Sequence, residues 1–433
     1  MSLNSTPSSE RIHIGFFGKT NAGKSSLINA ITGQQVSLVS EVRGTTTDPV
    51  KKSMELLPLG PVVLIDTPGL DDKSRLGEQR EQRTRDILKQ IHIAVIVVDA
   101  LEGMTEVEVQ LEQKLTQEMI PCLLVCNKKD LLQNKLKNLE TNSKYGFGVD
   151  EQTCREYGKK LREENGNDTL GNRKEADIQK DIIWVSAATG ENIDFLKEKI
   201  SSIEINKPEK KLVSDLLNPG EHVLLVIPID KAAPKGRLIL PQQQTIRDIL
   251  DAGCTLSVCQ VENVKATLEL LQQNPKLVIT DSQVFAKVKE IVPRDILLTS
   301  FSILFARYKG DLERTVEGAR KIEELKDGDK ILISEGCTHH RQCGDIGTQK
   351  LPKWILKYTG KKLNFEFSSG GDFPKELSEY KLIIHCGACM LNEKQMQSRI
   401  ALAKQTGIPM TNYGIVIAYL NGILERSIEP FQS

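Results

Sequence analysis

The sequence predicts an α/β protein built from about three domains. Its 433 residues exceed what a single hydrophobic core usually organises. Short apolar runs alternate with amphipathic helical patterns along most of the chain, which is the order that produces parallel sheets flanked by helices. A charged stretch around Pro208 indicates a linker. The expected domains are therefore residues 1–205, 206–292 and 293–433.

The overall charge and the cysteine content narrow the class of protein. Lysine and arginine together number 58, as do aspartate and glutamate, which argues against a nucleic-acid partner held by general electrostatics. No apolar run approaches the roughly 18 residues that cross a bilayer, and the polar amino terminus does not resemble an export signal. The nine cysteines are expected to be reduced thiols. We expect a cytoplasmic protein without a membrane partner.

The first domain begins with a predicted strand at residues 11–17, and residues 18–25 follow it as GKTNAGKS. This is the G-x-x-x-x-G-K-S pattern in the strand-to-helix context that it requires. In such a loop, backbone N–H groups surround the β-phosphate, Lys24 reaches the β- and γ-phosphates, and the Ser25 hydroxyl binds magnesium. The pattern predicts a P-loop nucleotide site.

Three further motifs follow β-runs and identify the nucleotide. Asp66 and Gly69 belong to a D-T-P-G turn, where the acid holds magnesium through water and the Gly69 N–H senses the γ-phosphate. Asp130 ends an N-K-K-D motif, and its carboxylate can accept two hydrogen bonds that guanine donates and adenine does not. Ser186-Ala187 matches a loop over the guanine oxygen. The predicted GTP contacts are Asn21, Ala22, Gly23, Lys24, Ser25, Ser26, Asp66, Gly69, Asn127, Lys128, Asp130, Ser186 and Ala187.

These motifs resemble those of the translation-factor-like GTPases of the Era and TrmE kind, over about residues 11–200. The resemblance implies that residues 44–48 are the first switch, with Thr46 on magnesium, and that Asn21 binds potassium in place of an arginine finger. Leu70 stands where Ras-like enzymes have a water-orienting glutamine, so we expect slow hydrolysis that potassium accelerates. The implied catalytic residues are Lys24, Asn21, Thr46 and Gly69. Residues 138–180 are read as a polar surface insertion, with a partner-binding arm as the alternative.

The middle domain is predicted to contain a small α/β sheet. Its apolar runs are residues 223–229, 256–261 and 276–280, with helical patterns at 242–251 and 261–273 between them. A three-stranded sheet of this kind has an open edge that can pair with a second copy. We therefore expect a homodimer.

The final domain is predicted to be a doubly wound parallel sheet. Four apolar runs alternate with four helical patterns; the runs are residues 330–334, 363–367, 382–385 and 408–411, and the helices are 311–325, 349–358, 393–405 and 413–424. Ligands of such sheets collect at the carboxyl ends of the strands. Cys337, Cys386 and Cys389 all follow strands at that edge, so we expect them to meet.

The cysteine pattern by itself admits several readings. A lone Cys-x-x-Cys pair is often a redox pair or two buried thiols. A zinc site of Cys337, His339, Cys386 and Cys389 has suitable ligands and spacing. Three thiolates without an obligatory fourth ligand suit a 4Fe–4S cluster with one open iron. Residue chemistry alone does not separate zinc from the cluster.

The combination of a potassium-type GTPase with Cys337-x-His339 and His385-Cys386-x-x-Cys389 resembles the HydF family over essentially the full length. The family consists of GTPases that mature iron-only ([FeFe]) hydrogenase. The resemblance implies that the three cysteines ligate a 4Fe–4S cluster. The two histidines are then weak ligands, or donors behind the ligands.

The resemblance further implies a scaffold that receives a two-iron precursor from radical-SAM maturases and passes it to the hydrogenase, with GTP as a switch. Glu425 and Glu429 are candidate fourth ligands; if the helix at 413–424 is straight, Glu425 could reach the cluster only from a neighbouring molecule. The competing readings are an RNA-modification or ribosome-assembly GTPase with a Cys3His zinc domain, and a redox sensor, which leaves Cys337 unexplained.

Overall fold

The computed structural model describes residues 6–33, 50–70, 84–140, 182–205, 210–229, 238–336 and 345–432, without the side chains of 136–140. The chain divides into two compact units, Met1–Asn206 and Lys207–Ser433. Within the described ranges, none of the helices combines the length and the apolarity that a bilayer-spanning segment needs.

The first unit contains a six-stranded sheet in the order β2-β3-β1-β4-β5-β6, parallel except for β2. Its strands are β1 (Ile12–Phe17), β2 (Val50–Leu56), β3 (Gly60–Asp66), β4 (Ile93–Asp99), β5 (Cys122–Asn127) and β6 (Ile182–Trp184). Its labelled helices are α1 (Lys24–Thr32), α2 (Glu106–Gln117), α3 (Lys129–Glu140) and α4 (Ile193–Ser201). Apolar side chains of the central strands are buried on both faces, as expected of strands covered by helices on two sides.

The second unit begins with a four-stranded parallel sheet in the order β10-β9-β7-β8. The strands are β7 (His222–Val226), β8 (Thr255–Cys259), β9 (Leu277–Thr280) and β10 (Leu297–Ser300). The helices are α5 (Leu240–Asp251), α6 (Val264–Leu270), α7 (Phe285–Ile291) and α8 (Phe301–Lys309). The sequence predicted three strands ending before residue 292. The apolar residues of β10 continue directly into those of α8, so the sequence shows no boundary between strand and helix, and β10 is defined by its pairing with β9.

The same unit contains a second parallel sheet in the order β12-β11-β13-β14. The strands are β11 (Lys330–Glu335), β12 (Asn364–Ser369), β13 (Leu382–His385) and β14 (Met410–Asn412). The helices are α9 (Leu312–Arg320), α10 (Leu351–Thr359), α11 (Glu393–Thr406), α12 (Tyr413–Leu420) and α13 (Leu424–Ile428). The predicted α/β fold class, with its P-loop domain and its carboxy-terminal parallel sheet, is confirmed.

The predicted helix over residues 413–424 is wrong in one respect. α12 ends at Leu420, a turn at Gly422 (φ 62°) follows, and α13 then turns back onto the first sheet of this unit. There the Thr299 hydroxyl of β10 donates to the carbonyl of Ser427 at 2.9 Å. Arg426 is buried and donates to the carbonyls of Val292 and Pro293 at 3.0 and 2.6 Å. The carboxyl terminus therefore covers the β10 edge, which joins the two sheets into one compact unit.

Candidate functional site

The phosphate loop lies between β1 and α1 and is shaped by left-handed backbone at two residues. Asn21 has φ 64° and Gly23 has φ 89°. A Cβ at Gly23 would lie 2.2 Å from the side-chain nitrogen of Asn127, so only glycine fits there. The buried Lys24 ammonium donates to the carbonyls of Gly18 and Lys19 at 3.0 and 2.7 Å. The cation is thus held over the loop, where it can contact phosphate oxygens.

The oxygen atoms beside this loop suit magnesium. The Ser25 hydroxyl donates to Asp66 Oδ2 at 2.5 Å. The other carboxylate oxygen, Asp66 Oδ1, is buried and has no hydrogen-bond partner among the described residues. Magnesium prefers such hard oxygen donors and retains several waters, so the hydroxyl and the carboxylate fit it. Thr46, the predicted third oxygen donor, lies outside the described residues together with 44–48.

The D-T-P-G turn is packed directly against the phosphate loop. The Leu70 N–H donates to the carbonyl of Gly18 at 3.2 Å. A Cβ at Gly69 would lie 2.1 Å from the Thr20 hydroxyl, so this position also requires glycine. Gly69, the predicted γ-phosphate sensor, therefore lies next to the loop that would hold the phosphates.

The guanine-binding motifs are held together by one buried amide. Asn127 donates to the Ala22 carbonyl at 3.1 Å and accepts from the Ala187 N–H at 3.0 Å, which connects three predicted motifs. The Ser186 hydroxyl donates to Asp130 Oδ1 at 2.6 Å and orients that carboxylate. Ser26 follows Lys24 and Ser25 in the first turn of α1.

The sequence motifs do not include Asp99, which also belongs to this site. Asp99, at the end of β4, forms an ion pair with Lys128 at 2.6 Å. It ends an apolar run at the same sheet edge as the other motifs, a signal that could have identified it. The pair fixes Lys128, whose backbone is left-handed with φ 66°, between the nucleotide motifs.

The cysteine loop follows β13 at the carboxyl edge of the second sheet. The Cys386 N–H donates to the Ser334 carbonyl of β11 at 2.9 Å. Its sulfur accepts from the N–H groups of Gly336 and Ala388 at 3.0 and 3.4 Å. Backbone N–H groups aimed at a sulfur stabilise negative charge on it, as iron–sulfur ligation requires. Cys337 and His339 lie outside the described residues, but Gly336, the neighbour of Cys337 in sequence, contacts Cys386.

Cys389 ends the Cys-x-x-Cys motif and lies beside a buried lysine. Burial raises the pKa of the Cys389 thiol, and the charge of Lys309 opposes that effect. The Lys309 side chain is 2% exposed and extends from the end of α8. Its ammonium donates to the carbonyls of Leu391, Ala388 and Cys389 at 3.0, 3.4 and 3.4 Å. Lys309 therefore anchors the loop and places positive charge near its thiols.

His385 is fully buried, and both of its ring nitrogens are engaged. Nε2 lies 2.7 Å from Arg399 Nη1, and Nδ1 lies 2.8 Å from the Cys386 carbonyl. A guanidinium only donates, so Nε2 accepts and Nδ1 carries the proton. Burial and the charge of Arg399 lower the pKa of His385 to about 3, so the ring is neutral near pH 7. As placed, His385 would have to break one of these two bonds before it could bind a metal.

The two candidate carboxylates for a fourth ligand are engaged elsewhere. Glu425 forms an ion pair with Arg320 at 2.8 Å, and Glu429 forms one with Arg294 at 2.6 Å. At the cysteine edge, the structure instead places Glu335, which is buried at the end of β11 and accepts from the Tyr413 hydroxyl at 3.4 Å. Among the described residues, no group of three or more His, Cys, Asp or Glu side chains could hold a metal.

A cavity of about 380 Å³ opens beside the cysteine loop. Cys386, Gly387 and Ala388 form part of its lining, with Lys309 and Met396 from the adjacent helices. The paired cysteines, the N–H groups at Cys386 and the nearby buried cations fit a thiolate-bound, negatively charged cluster. The cavity shows that one side of this loop faces open space.

Family models match the chain along both units. Residues 212–310 match the hydrogen maturase F dimerization domain, and residues 313–430 match the hydrogen maturase F tetramerization domain. Residues 13–128 match the model described as a 50S ribosome-binding GTPase. The first unit therefore contains a P-loop GTPase domain.

Curated relatives resemble the GTPase part of the chain. GTPase Der of Helicobacter hepaticus is 36% identical over 150 residues, covering 34% of this chain and 31% of its own length. GTPase Der of Mycoplasmopsis pulmonis is 29% identical over 222 residues, covering 50% and 45%. The chain thus spans less than half the length of these relatives. Among solved structures, a variant of Aquifex aeolicus Era bound to GDP.AlF4- aligns with 60% of this chain and 98% of its own, at 18% identity and TM-score 0.32.

The base-binding geometry leads to a specificity test at Asp130. Asp130→Asn should lower the affinity for GTP by at least about a hundredfold, because an amide cannot accept both guanine donors. The same variant should bind xanthosine triphosphate better than the wild type does, since the xanthine C2 carbonyl can accept from the new amide. Calorimetric titration with each nucleotide measures both changes.

Asp194→Asn is the matched control, because Asp194 is an exposed acid on α4. It should leave both affinities unchanged. Equal GTP affinity in Asp130→Asn and wild type would contradict the assignment of Asp130.

Proposed function

This chain belongs to the HydF family, and from that premise we propose that it is a GTP-hydrolysing scaffold for maturation of [FeFe]-hydrogenase. In this proposal it holds a 4Fe–4S cluster, receives a two-iron precursor from radical-SAM maturases and transfers that precursor to the hydrogenase. The observation that carries the proposal is the 3.0 Å contact between the Gly336 N–H and the Cys386 sulfur. It brings the strand end before Cys337 to the Cys-x-x-Cys loop, in a chain that also contains a GTPase domain.

The proposed cluster ligands are Cys337, Cys386 and Cys389. A bound 4Fe–4S cluster with three thiolate ligands supplies one iron that remains open to exchange. The hydrogen bonds of His385 favour a role behind the ligand, where its Nδ1–H supports the Cys386 carbonyl. His339 remains a candidate weak ligand. The cavity beside Cys386 gives an incoming group access to one side of the loop.

The proposed role of GTP is to switch partner binding. We assign Lys24, Ser25, Asp66 and Gly69 to the phosphates and magnesium, and Thr46 is proposed to complete the magnesium ligands. Leu70 cannot orient water by hydrogen bonding, so slow intrinsic hydrolysis follows from its side chain. Slow hydrolysis keeps the protein in its GTP-bound state for longer, as expected of a molecular switch and not of an enzyme that turns over a metabolite.

We propose that the chain forms a homodimer through β8. The other edge of that sheet, β10, is covered by α13 through Thr299 and Arg426. β8 is the opposite edge strand, and its Val258 side chain is 49% exposed. Among the described residues no strand pairs with its outer side, and such an edge presents backbone donors and acceptors to a second strand. The match of this region to a dimerization-domain model supports the proposal.

The alternative, an RNA-modification or ribosome-assembly GTPase with a zinc domain, is favoured by one finding. The GTPase domain matches a model described as ribosome-binding. That model covers residues 13–128 alone, whereas both later regions match hydrogen maturase domains. The balanced charge also gives no general attraction for RNA. Salt-sensitive RNA binding by the full chain would revive the alternative.

Single substitutions should separate GTP hydrolysis from cluster binding. Lys24→Ala should reduce GTP turnover by at least about a hundredfold, because the cation at the phosphates is lost, and should leave iron content unchanged. Cys386→Ala should remove most of the iron and leave turnover unchanged. Iron and sulfide analysis, with electron paramagnetic resonance after anaerobic reconstitution, measures one property, and phosphate release measures the other. If either folded variant loses both GTP turnover and iron, the two sites are not independent. If the wild type binds zinc and no iron, the proposed 4Fe–4S cluster is refuted.

Potassium should accelerate hydrolysis if Asn21 holds the ion. The rate in potassium chloride should exceed that in sodium chloride by at least about tenfold, since the ion supplies the charge that an arginine finger supplies elsewhere. Asn21→Ala should abolish the difference, whereas Asn274→Ala, at an exposed asparagine of the second unit, should retain it. Equal wild-type rates in the two salts would count against the Asn21 assignment.

A charge on β8 should disrupt the dimer. Val258→Lys should shift the full chain toward the monomer, because a desolvated ammonium at a paired edge is costly. Leu270→Lys, at an apolar side chain that is 83% exposed on α6, is the matched control. Analytical ultracentrifugation measures both variants, and an unchanged dimer in Val258→Lys would place the interface elsewhere.

A further inference from the structure

Arg399 is a buried arginine beneath the cysteine loop. It belongs to α11, and its residue surface is 8% exposed. Nη1 donates to His385 Nε2 at 2.7 Å and lies 3.4 Å from the Ser334 hydroxyl, while Nη2 donates to the Gly370 carbonyl. The guanidinium also stacks over the Phe373 ring, 4.9 Å from its centre.

These bonds connect the ends of three neighbouring strands. Ser334 is near the end of β11, Gly370 follows β12, and His385 ends β13. The loop that carries Cys386 begins directly after β13, and the segment before Cys337 leaves β11. One guanidinium therefore fixes the relative positions of the strand ends from which the proposed ligands extend.

Among the residues that the structure describes, the charge of Arg399 has no carboxylate partner. Within the described ranges, no aspartate or glutamate lies at ion-pair distance from it, and its acceptors are a neutral imidazole, a hydroxyl and a carbonyl. A buried cation without a counter-charge is destabilising, so such groups normally face an anion. Burial lowers the pKa of Arg399, and Cys386 is the group whose negative charge opposes this effect.

His385 extends this influence to the ligand backbone. Arg399 donates to Nε2, which leaves the proton on Nδ1, and Nδ1 donates to the Cys386 carbonyl. That carbonyl shares its peptide plane with the Gly387 N–H, one residue before the Ala388 N–H that points at the Cys386 sulfur. The contacts therefore connect the Arg399 guanidinium, through the neutral His385 ring, to the Cys386 backbone.

We propose that Arg399 is the positioning residue of the cysteine site, where it clamps the three strand ends and supplies the buried positive charge that offsets a thiolate-bound cluster. This inference rests on the proposed function, because the anion in question is the cluster. The Arg399 side chain would then have two separable effects on the cluster. The hydrogen-bonded fork sets geometry, and the charge favours the reduced, more negative state of the cluster.

The test compares Arg399→Gln with Arg399→Lys in the full-length protein after anaerobic reconstitution with iron and sulfide. Arg399→Gln removes the charge and should shift the midpoint potential of the cluster to a more negative value. Arg399→Lys retains the charge but lacks the planar fork, so its potential should stay near that of the wild type while iron is lost faster to a chelator. Potentiometric titration followed by electron paramagnetic resonance measures the potential, and chelator-induced bleaching measures retention.

Arg247→Gln is the matched control, because Arg247 lies on α5 with its side chain 79% exposed and paired to Asp251. It should match the wild type in both measurements. Unchanged potential and unchanged iron retention in both Arg399 variants would overturn this proposal and leave the cluster assignment intact. A wild type that takes up no cluster would overturn both.

Thermal unfolding and size-exclusion chromatography identify a variant that does not fold. If Arg399→Gln fails to fold, Arg399→Lys decides the matter. If Arg399→Lys has the midpoint potential of the wild type but loses iron faster, the separate effects of charge and geometry are supported. If its potential is shifted, or if it retains iron as well as the wild type does, the proposal is overturned.

Discussion

Parallel pairing of strands is the constraint on which both sites depend. In a parallel sheet each strand is followed by a crossover helix, so all strands end at one edge and their loops must meet there. In the first unit this brings the loops after β1, β3 and β5 together, where the amide of Asn127 connects the loops after β1 and β5 with the one after β6. In the second unit, pairing of Ser334 with His385 places the exit of β11 beside Cys386. Residues far apart in sequence thereby become neighbours.

Polar and charged groups buried at those edges are satisfied in two different ways. In the nucleotide site, Asn127 and Lys24 are paired with backbone groups, and one oxygen of Asp66 is left for an ion. In the cysteine site, Lys309 is held by three carbonyls and Arg399 by neutral acceptors. The first arrangement leaves a negative oxygen for a cation, and the second supplies positive charge for an anion. This difference suits magnesium with phosphates in one place and thiolates with a cluster in the other.

The second unit is one compact body, although it contains two sheets. α13 closes the β10 edge, and the buried side chain of Arg426 satisfies carbonyls at the end of α7 and in the turn after it. Lys309 leaves the end of α8, next to the first sheet, and binds the loop that follows β13 of the second sheet. The cysteine loop is therefore supported by helices on either side of the boundary between the two hydrogen maturase regions.

The amino-acid sequence by itself determined the motifs and most of the strands. The phosphate loop needs glycine at positions with left-handed backbone or close contacts, and guanine recognition needs the carboxylate of Asp130, so local residue types reveal both. Alternating apolar runs likewise located β11 to β14 and the edge at which Cys386 and Cys389 lie. The tertiary structure alone decided the strand β10, the fold-back of α13, and the contacts of Asp99, Lys309, Arg399 and His385. Each of these depends on contacts between residues distant in the chain, where burial and charge compensation, and not local periodicity, select the conformation.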